Sequence, residues 1–488
     1  MDGYEIEQQI KGLSLSPGDM ANMALPWRRA SHTIYQYIFL LVNIPAGAHS
    51  LAGIVRNLND MGRREGLIRR TSRRMIPLAC NVSILYTRIQ SNLNNGRSGM
   101  QNGLFLPLLF FWAAGLVFTA SASAAERPRA RDLGIVVGAL EPGPLNAITD
   151  VPGVRVGQTT LLRGDSVRTG VTVVLPHGGN LYESRVPAAI AVGNGYGKLT
   201  GSTQVAELGE LESPVALTNT LAVWGVAEGL ARWMLGQPGM EKVRSINPVV
   251  AETNDGWALN AIRSFPVSFA DLTAALESAS TGAVAEGAVG AGTGTVAFEW
   301  KGGIGTSSRL IPDKPWHVGV LVQSNFGRWQ DLTISGVPVG RALGRSGVHP
   351  HTNKGADGSI VVVVATDAPV SDRNLQRLAA RALLGIARTG GFASNGSGDY
   401  VIAFSTHPAL RRTPAGAQPE PAAGLEVGNS QMNPLFEAAV DATVEAIYNS
   451  LLRATTQSGA YATVEALPID EVKAILARHG IGSAAGKE

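Results

Sequence analysis

The sequence predicts an α/β (α+β) protein, a layered sandwich of sheets covered by helices, and three observations carry that reading. Four short runs, Val171–Leu175, Ala188–Val192, Val318–Val322 and Ile360–Val364, are apolar with no polar alternation, as strands buried on both faces are. Other segments space their apolar residues three and four apart, the period of amphipathic helices. Of 488 residues, 45% are hydrophobic and 16% charged, enough apolar side chain to fill a large core.

In chain order, the first two runs are strands, and Thr218 to Leu235 and Phe269 to Leu276 read as helices. The runs Val318–Val322 and Ile360–Val364 follow as buried strands rich in β-branched residues. Helical spacing returns over Asp372 to Arg388 and Asn433 to Arg453. A last short helix over Ile469 to Gly480 ends on a glycine stop. Gly336 to Lys354 and Thr413 to Gly424 are rich in Gly, Pro and polar residues and read as loops. No domain break interrupts residues 125–488.

The N-terminal quarter differs. Residues 1–99 carry the arginine pairs Arg63-Arg64, Arg69-Arg70 and Arg73-Arg74, and the sole cysteine, Cys80, without sustained amphipathic period. From Met100 an apolar run leads to Ala120-Ser-Ala-Ser-Ala124, the small-residue exit of a secretory signal peptide over 100–124. A membrane anchor is the competing reading, since Leu104 to Ala120 approaches spanning length. We therefore expect residues 1–99 to lie outside the mature protein, with Met100 as the true start. The mature chain, from near Ala125, would contain no cysteine and need no disulfide in an oxidising compartment.

Several function classes lose support. The net charge is only +3, with basic residues concentrated near the N-terminus, so nucleic acid is not an expected partner. Gly193-Asn-Gly-Tyr-Gly-Lys-Leu-Thr200 lacks the spacing of a phosphate loop. Gly287-Ala-Val-Gly-Ala-Gly-Thr-Gly294 has no suitably placed acid, and close backbone packing is its plainer reading. His349-Pro-His351 lacks a third zinc ligand at recognisable spacing. The Gly-x-Ser-x-Gly elbow of α/β-hydrolases is absent.

Chemistry concentrates where polar residues meet buried strands. Gly358-Ser359 stands directly before a β-branched run, so a cut between them would leave a hydroxyl and a free α-amine on one residue, a nucleophile with its own base. Ser397 and Asp399 alternate at the edge of another strand and share one face, where they could orient an amine or simply cap a turn. Asn325 ends the strand after Val318, and its amide could serve an oxyanion or a turn. Glu252 follows the apolar run after Asn247 and could pair with a substrate ammonium or be a surface acid.

Taken together, Thr149-Asp-Val-Pro-Gly-Val-Arg-Val-Gly157, Gly193-Asn-Gly-Tyr-Gly-Lys198, Ala216-Leu-Thr-Asn-Thr220, Pro248-Val-Val-Ala-Glu-Thr253, Gly287 to Gly294, Gln323-Ser-Asn-Phe-Gly327, Asp357-Gly-Ser-Ile360 with Ala365-Thr-Asp-Ala-Pro369, and Gly396-Ser-Gly-Asp399 resemble one family. It is the DmpA/BapA family of self-cleaving aminopeptidases, the L-aminopeptidase/D-esterase and β-aminopeptidyl enzymes.

The resemblance implies an N-terminal-nucleophile-like fold and a precursor that cuts itself into an α subunit, 125–358, and a β subunit, 359–488. It makes Ser359 the nucleophile, Ser397 and Asp399 the pair at its new terminus, Asn325 the oxyanion donor, and Glu252 the partner of the substrate's free amine. The freed α-amine, with a reference pKa of about 7.7–8.0, would be the base. The implied activity removes N-terminal residues from short peptides, amides or esters, with no metal or organic cofactor. A non-peptide amidase and an inactive periplasmic peptide-binding homologue are the alternatives. Tetramers of αβ units follow by analogy with the family. The leader read at 100–124 makes the mature chain periplasmic or secreted, with the cytoplasm as the alternative because some members of the family lack a signal.

Overall fold

Arg155–Arg163 (β1) and Val167–Leu175 (β2) pair antiparallel around the turn at Gly164, whose φ of 52° suits glycine. The computed structural model describes residues 126–344, 358–414 and 425–482. Next come Val186–Gly195 (β3), helix Ser202–Leu208 (α1), Glu210–Leu211 (β4), Val215–Asn219 (β5), helix Val223–Leu235 (α2) and Val249–Thr253 (β6). Phe269–Glu277 (α3), Val296–Ala297 (β7), Trp300–Lys301 (β8), Gly303–Leu310 (β9), His317–Asn325 (β10) and Val339–Leu343 (α4) follow. The chain continues through Ser359–Thr366 (β11), Asp372–Arg388 (α5), Gly398–Ser405 (β12), Asn433–Leu452 (α6), a short hairpin, and Ile469–Ala477 (α7).

All four apolar runs are strands. The helix expected from Thr218 instead starts at Val223, because Thr218 and Asn219 finish β5 and the Asn219 side chain accepts the Ala222 N–H at 3.1 Å, capping a preceding turn. The helices expected over Asp372–Arg388 and from Asn433 begin as the sequence indicates. The expected leader at 100–124, residues 1–99, the histidines at 349 and 351 and most of the two expected loops lie outside the described residues.

Among the described residues two large sheets form, β1-β2-β5-β6 and β4-β3-β12-β11-β10-β9, beside two small two-stranded ones. In the larger one, β11 and β12 run parallel at the centre and are connected through α5, since parallel neighbours need a crossover. The facing sides of the sheets share one apolar cluster, with Val174, Leu217 and Ala251 from the smaller sheet and Leu321, Val361, Val363 and Ile402 from the larger. Helices α2 and α3 cover the smaller sheet through Val226, Leu230 and Leu272. On the larger sheet, α5 and α6 cover Val320, Ile360, Val362 and Val401. Because side chains alternate along a strand, Ser359 lies on the side of Val361, toward the other sheet, and Asp399 on the side of Val401, toward the helices.

A fully buried ion pair ties α6 to β9. Arg309 Nη2 lies 2.7 Å from Glu445 Oε2, and Arg131 Nε lies 3.1 Å from Glu445 Oε1, which also accepts from the Asn146 amide. Removing the carboxylate strands an unpaired guanidinium in the core. We expect Glu445→Ala to lower unfolding free energy by about 3–5 kcal/mol, read from urea denaturation.

Candidate active site

The site is built where three neighbouring strands of the larger sheet end. Asn325, the last residue of β10, pairs with Ser359, the first of β11, and Ser359 pairs in parallel with Gly398, the first of β12. Residues separated by tens of positions are thereby brought side by side. The Gly398 N–H donates to Ser359 Oγ at 3.2 Å. A Cβ at Gly358 would lie 2.2 Å from the Asn325 carbonyl oxygen, so only glycine fits before the serine.

Asn325 is held on both sides of its amide. Its Oδ1 accepts the Val296 N–H at 2.9 Å, and its Nδ2 donates to the Asn254 carbonyl at 3.2 Å. Two hydrogens on Nδ2 mean that one remains for a ligand.

Ser397 and Asp399 meet as expected, with Ser397 Oγ donating to Asp399 Oδ1 at 2.6 Å. The strand begins two residues earlier than expected, at Gly398, so Asp399 lies within β12 and Ser397 directly before it. Among the described residues, its Oδ2 is buried and has no hydrogen-bond partner. Burial pushes its carboxyl up to about 6, against the pull of the Ser397 hydroxyl and the Ile360 N–H. Both residues line a small cavity with Phe326, Ile386 and Phe392. Asp399 thus approaches the strand ends from the helix side, opposite the face that carries the Ser359 hydroxyl.

Glu252 comes from the smaller sheet, near the end of β6, and is 3% exposed, not a surface acid. Oε1 accepts the Lys198 N–H at 3.2 Å and lies 3.6 Å from Lys198 Nζ, while Oε2 accepts from Thr220 Oγ1. A Cβ at Gly197 would sit 3.0 Å from Glu252 Oε1 and 3.5 Å from Gly398 Cα. Glu252 therefore borders the gap next to Ser359, across Gly197 and Gly398. Burial raises the Tyr400 hydroxyl pKa, and the nearby Glu252 and Asp399 charges raise it further.

Sequence reasoning missed Lys198 and Thr220 as partners of Glu252, and Val296 and Asn254 as the groups that orient Asn325. Lys198 stood in a glycine-rich loop weighed as a nucleotide motif and as one block of the family resemblance, with no role given to its side chain. The glycine-rich segment before β7 does pack closely: a Cβ at Gly292 would lie 2.4 Å from the Ile304 nitrogen. Nearby, burial pushes Asp255 up to about 7 and Lys301 down to about 7. Among the described residues, no three His, Cys, Asp or Glu side chains gather as metal ligands, and no helix is long and apolar enough to cross a membrane.

A buried serine, an amide and a carboxylate gathered at adjacent strand ends of an α/β protein describe a hydrolase, and comparison with known proteins says of what kind. The chain belongs to peptidase family S58, whose family model matches residues 146–464. It is 41% identical over 397 residues to the beta-peptidyl aminopeptidase BapA of Sphingosinicella microcystinivorans, covering 75% of this chain and 96% of that one. The solved beta-aminopeptidase of a Burkholderia species is 41% identical, with a TM-score of 0.66 over 73% of this chain and 99% of its own. A third relative is the L-aminopeptidase D-Ala-esterase/amidase of Ochrobactrum anthropi, 37% identical with a TM-score of 0.68 over 73% of this chain and all of that one. That structure is described as a prototype for the serine aminopeptidases and a new variant among the Ntn hydrolase fold.

Proposed function

We propose that the chain is a self-processing serine aminopeptidase that releases N-terminal residues from short peptides, amides or esters through an acyl-enzyme on Ser359. The observation that carries this reading is the junction of Asn325, Ser359 and Gly398 at three adjacent strand ends. The two sheets enclosed by helices fit a layered N-terminal-nucleophile sandwich.

In the first step, Ser359 Oγ adds to the Gly358 carbonyl carbon and its proton passes to the Ser359 nitrogen. The peptide C–N bond breaks, leaving an ester and a free amine. Water then hydrolyses the ester to the Gly358 carboxylate and restores the hydroxyl. The same hydroxyl next attacks a substrate carbonyl, with the α-amine as base.

The placement of groups gives this order a physical reason. The hydroxyl is on one face of the sheet and Asp399 on the other, and a strand's backbone nitrogen lies between its two faces. An ammonium formed there can satisfy the unpartnered Asp399 Oδ2. Asn325 Nδ2 would then donate to the developing oxyanion, and Glu252 would accept the substrate's ammonium, sharing the position with Lys198. The alignment with relatives supports aminoacyl substrates without choosing among α-L, D or β residues.

The test is the intact mass of chain expressed from Met100, followed by assay of aminoacyl p-nitroanilides. Two fragments split between Gly358 and Ser359 and release of p-nitroaniline are expected. An uncut, folded chain that binds peptides without turnover would overturn the reading. The same proposal places the mature chain at 125–488, exported behind a leader at 100–124 and assembled as a homo-oligomer of αβ units. N-terminal sequencing of the exported form and sedimentation check both points.

Asp399 also sets a pH dependence. In the uncut chain burial pushes its carboxyl up to about 6, so self-cleavage should slow as pH falls below that value and level off above it. Asp399→Asn should flatten this limb, measured as first-order cleavage rates from pH 4.5 to 8. Stability runs the other way. Between the ordinary carboxylate pKa of about 3.9 and the folded value, the native chain binds the proton more tightly than the unfolded one. The uncut fold therefore loses this contribution as pH rises through that window.

A further inference from the structure

We propose that Lys301, which touches none of the reacting groups, is a positioning residue for Asn325; this rests on the reading of Asn325 as oxyanion donor. Lys301 ends the short strand β8 and is completely buried. Its Nζ donates to three main-chain carbonyls, Gly292 at 2.9 Å, Thr295 at 2.9 Å and Gly302 at 2.6 Å. Three acceptors match the three hydrogens of an ammonium, which a neutral amine could not all serve. A buried lysine is uncommon and needs such partners. Burial pulls the Lys301 pKa down, and the charge of Asp255, itself buried, pulls it back up.

Those carbonyls bracket the hairpin of β7 and β8. Thr295, whose carbonyl also accepts the Gly302 N–H at 3.1 Å, immediately precedes Val296. The Val296 N–H is the group that reaches Asn325 Oδ1 at 2.9 Å. Because an N–H only donates, the amide atom facing it must be the oxygen, and Nδ2 is thereby turned to the other side. The segment carrying that N–H is glycine-rich and has weak conformational preferences of its own. Lys301 clamps the segment, the segment presents the N–H, and the N–H sets which end of the Asn325 amide faces the serine. Loss of the clamp should let the donor drift, and misplacement by about 1 Å can cost on the order of 100-fold in rate.

The test compares wild type, Lys301→Met, Asn325→Ala and the double variant, with kcat and KM on an aminoacyl p-nitroanilide and first-order self-cleavage rates. Thermal melts and near-UV circular dichroism report folding. Lys301→Met should lower kcat roughly 10- to 100-fold with KM within about twofold, and its further effect in the Asn325→Ala background should be within about twofold. A merely structural role predicts losses that multiply in the double variant, or a change in KM and melting with kcat unaffected; either overturns the inference. Lys301→Gln, which keeps an amide donor, should be less impaired than Lys301→Met and replaces it if that variant does not fold. If neither folds, Lys301 serves the fold as a whole and the inference fails. Wild-type kcat in Lys301→Met with a defective Asn325→Ala sinks this inference alone. Wild-type kcat in Asn325→Ala sinks the oxyanion reading beneath it.

Discussion

Alanine at Ser359 is expected to leave a single uncut chain and to abolish turnover of aminoacyl p-nitroanilides, a loss of roughly 10⁴-fold or more. The fold should survive. Ser359 Oγ accepts one hydrogen bond, from the Gly398 N–H at 3.2 Å, and a single neutral bond contributes about 0.5–1.5 kcal/mol net. The strand below it is secured by Ile360 to Val364, all fully buried. Intact mass and a urea melt on the same sample separate the two effects. An uncut chain with near-wild-type stability identifies the hydroxyl as the group that breaks the Gly358-Ser359 bond. Cleavage persisting in Ser359→Ala would remove Ser359 from the processing step.

Replacing Asn325 should act on rate, not on affinity. Loss of one oxyanion donor costs about 10²–10³ in kcat, and KM should change little because the interaction strengthens only as negative charge develops. Asn325→Ala also leaves the Val296 N–H without its acceptor, a cost of about 1–3 kcal/mol in stability. Asn325→Asp keeps an oxygen for the Val296 N–H, sets its second oxygen against the Asn254 carbonyl, removes both Nδ2 hydrogens and adds negative charge beside the oxyanion. Activity ordered Asn, then Ala, then Asp would support electrostatic stabilisation, measured by steady-state kinetics beside urea melts. Equal activity in Ala and Asp variants would point to packing instead.

How much of this could be read from the chain depends on how local each signal is. Ser359 was legible because the β-branched run that buries it lies directly downstream. Ser397 and Asp399 were legible because period-two alternation puts neighbours two apart on one side, and the 2.6 Å contact agrees. The start of α2 was misplaced because Thr218 carries no local mark that a strand partner claims it. Lys301 gave no signal, since a lysine by type belongs in water and its three acceptors are main-chain atoms that every residue has.

Composition and periodicity by themselves determined the α/β class, the buried strands, most helices and the serine that stands at a strand head, because each follows from apolar spacing within a few residues. Tertiary structure decided what stands beside that serine. Strand pairing places Asn325 and Gly398 on either side of it, and loops bring Val296, 29 residues from Asn325, and Asn254, 71 residues from it, to the two ends of one amide. Such contacts depend on register and crossover connections, which bring distant segments together without leaving a periodic trace in either.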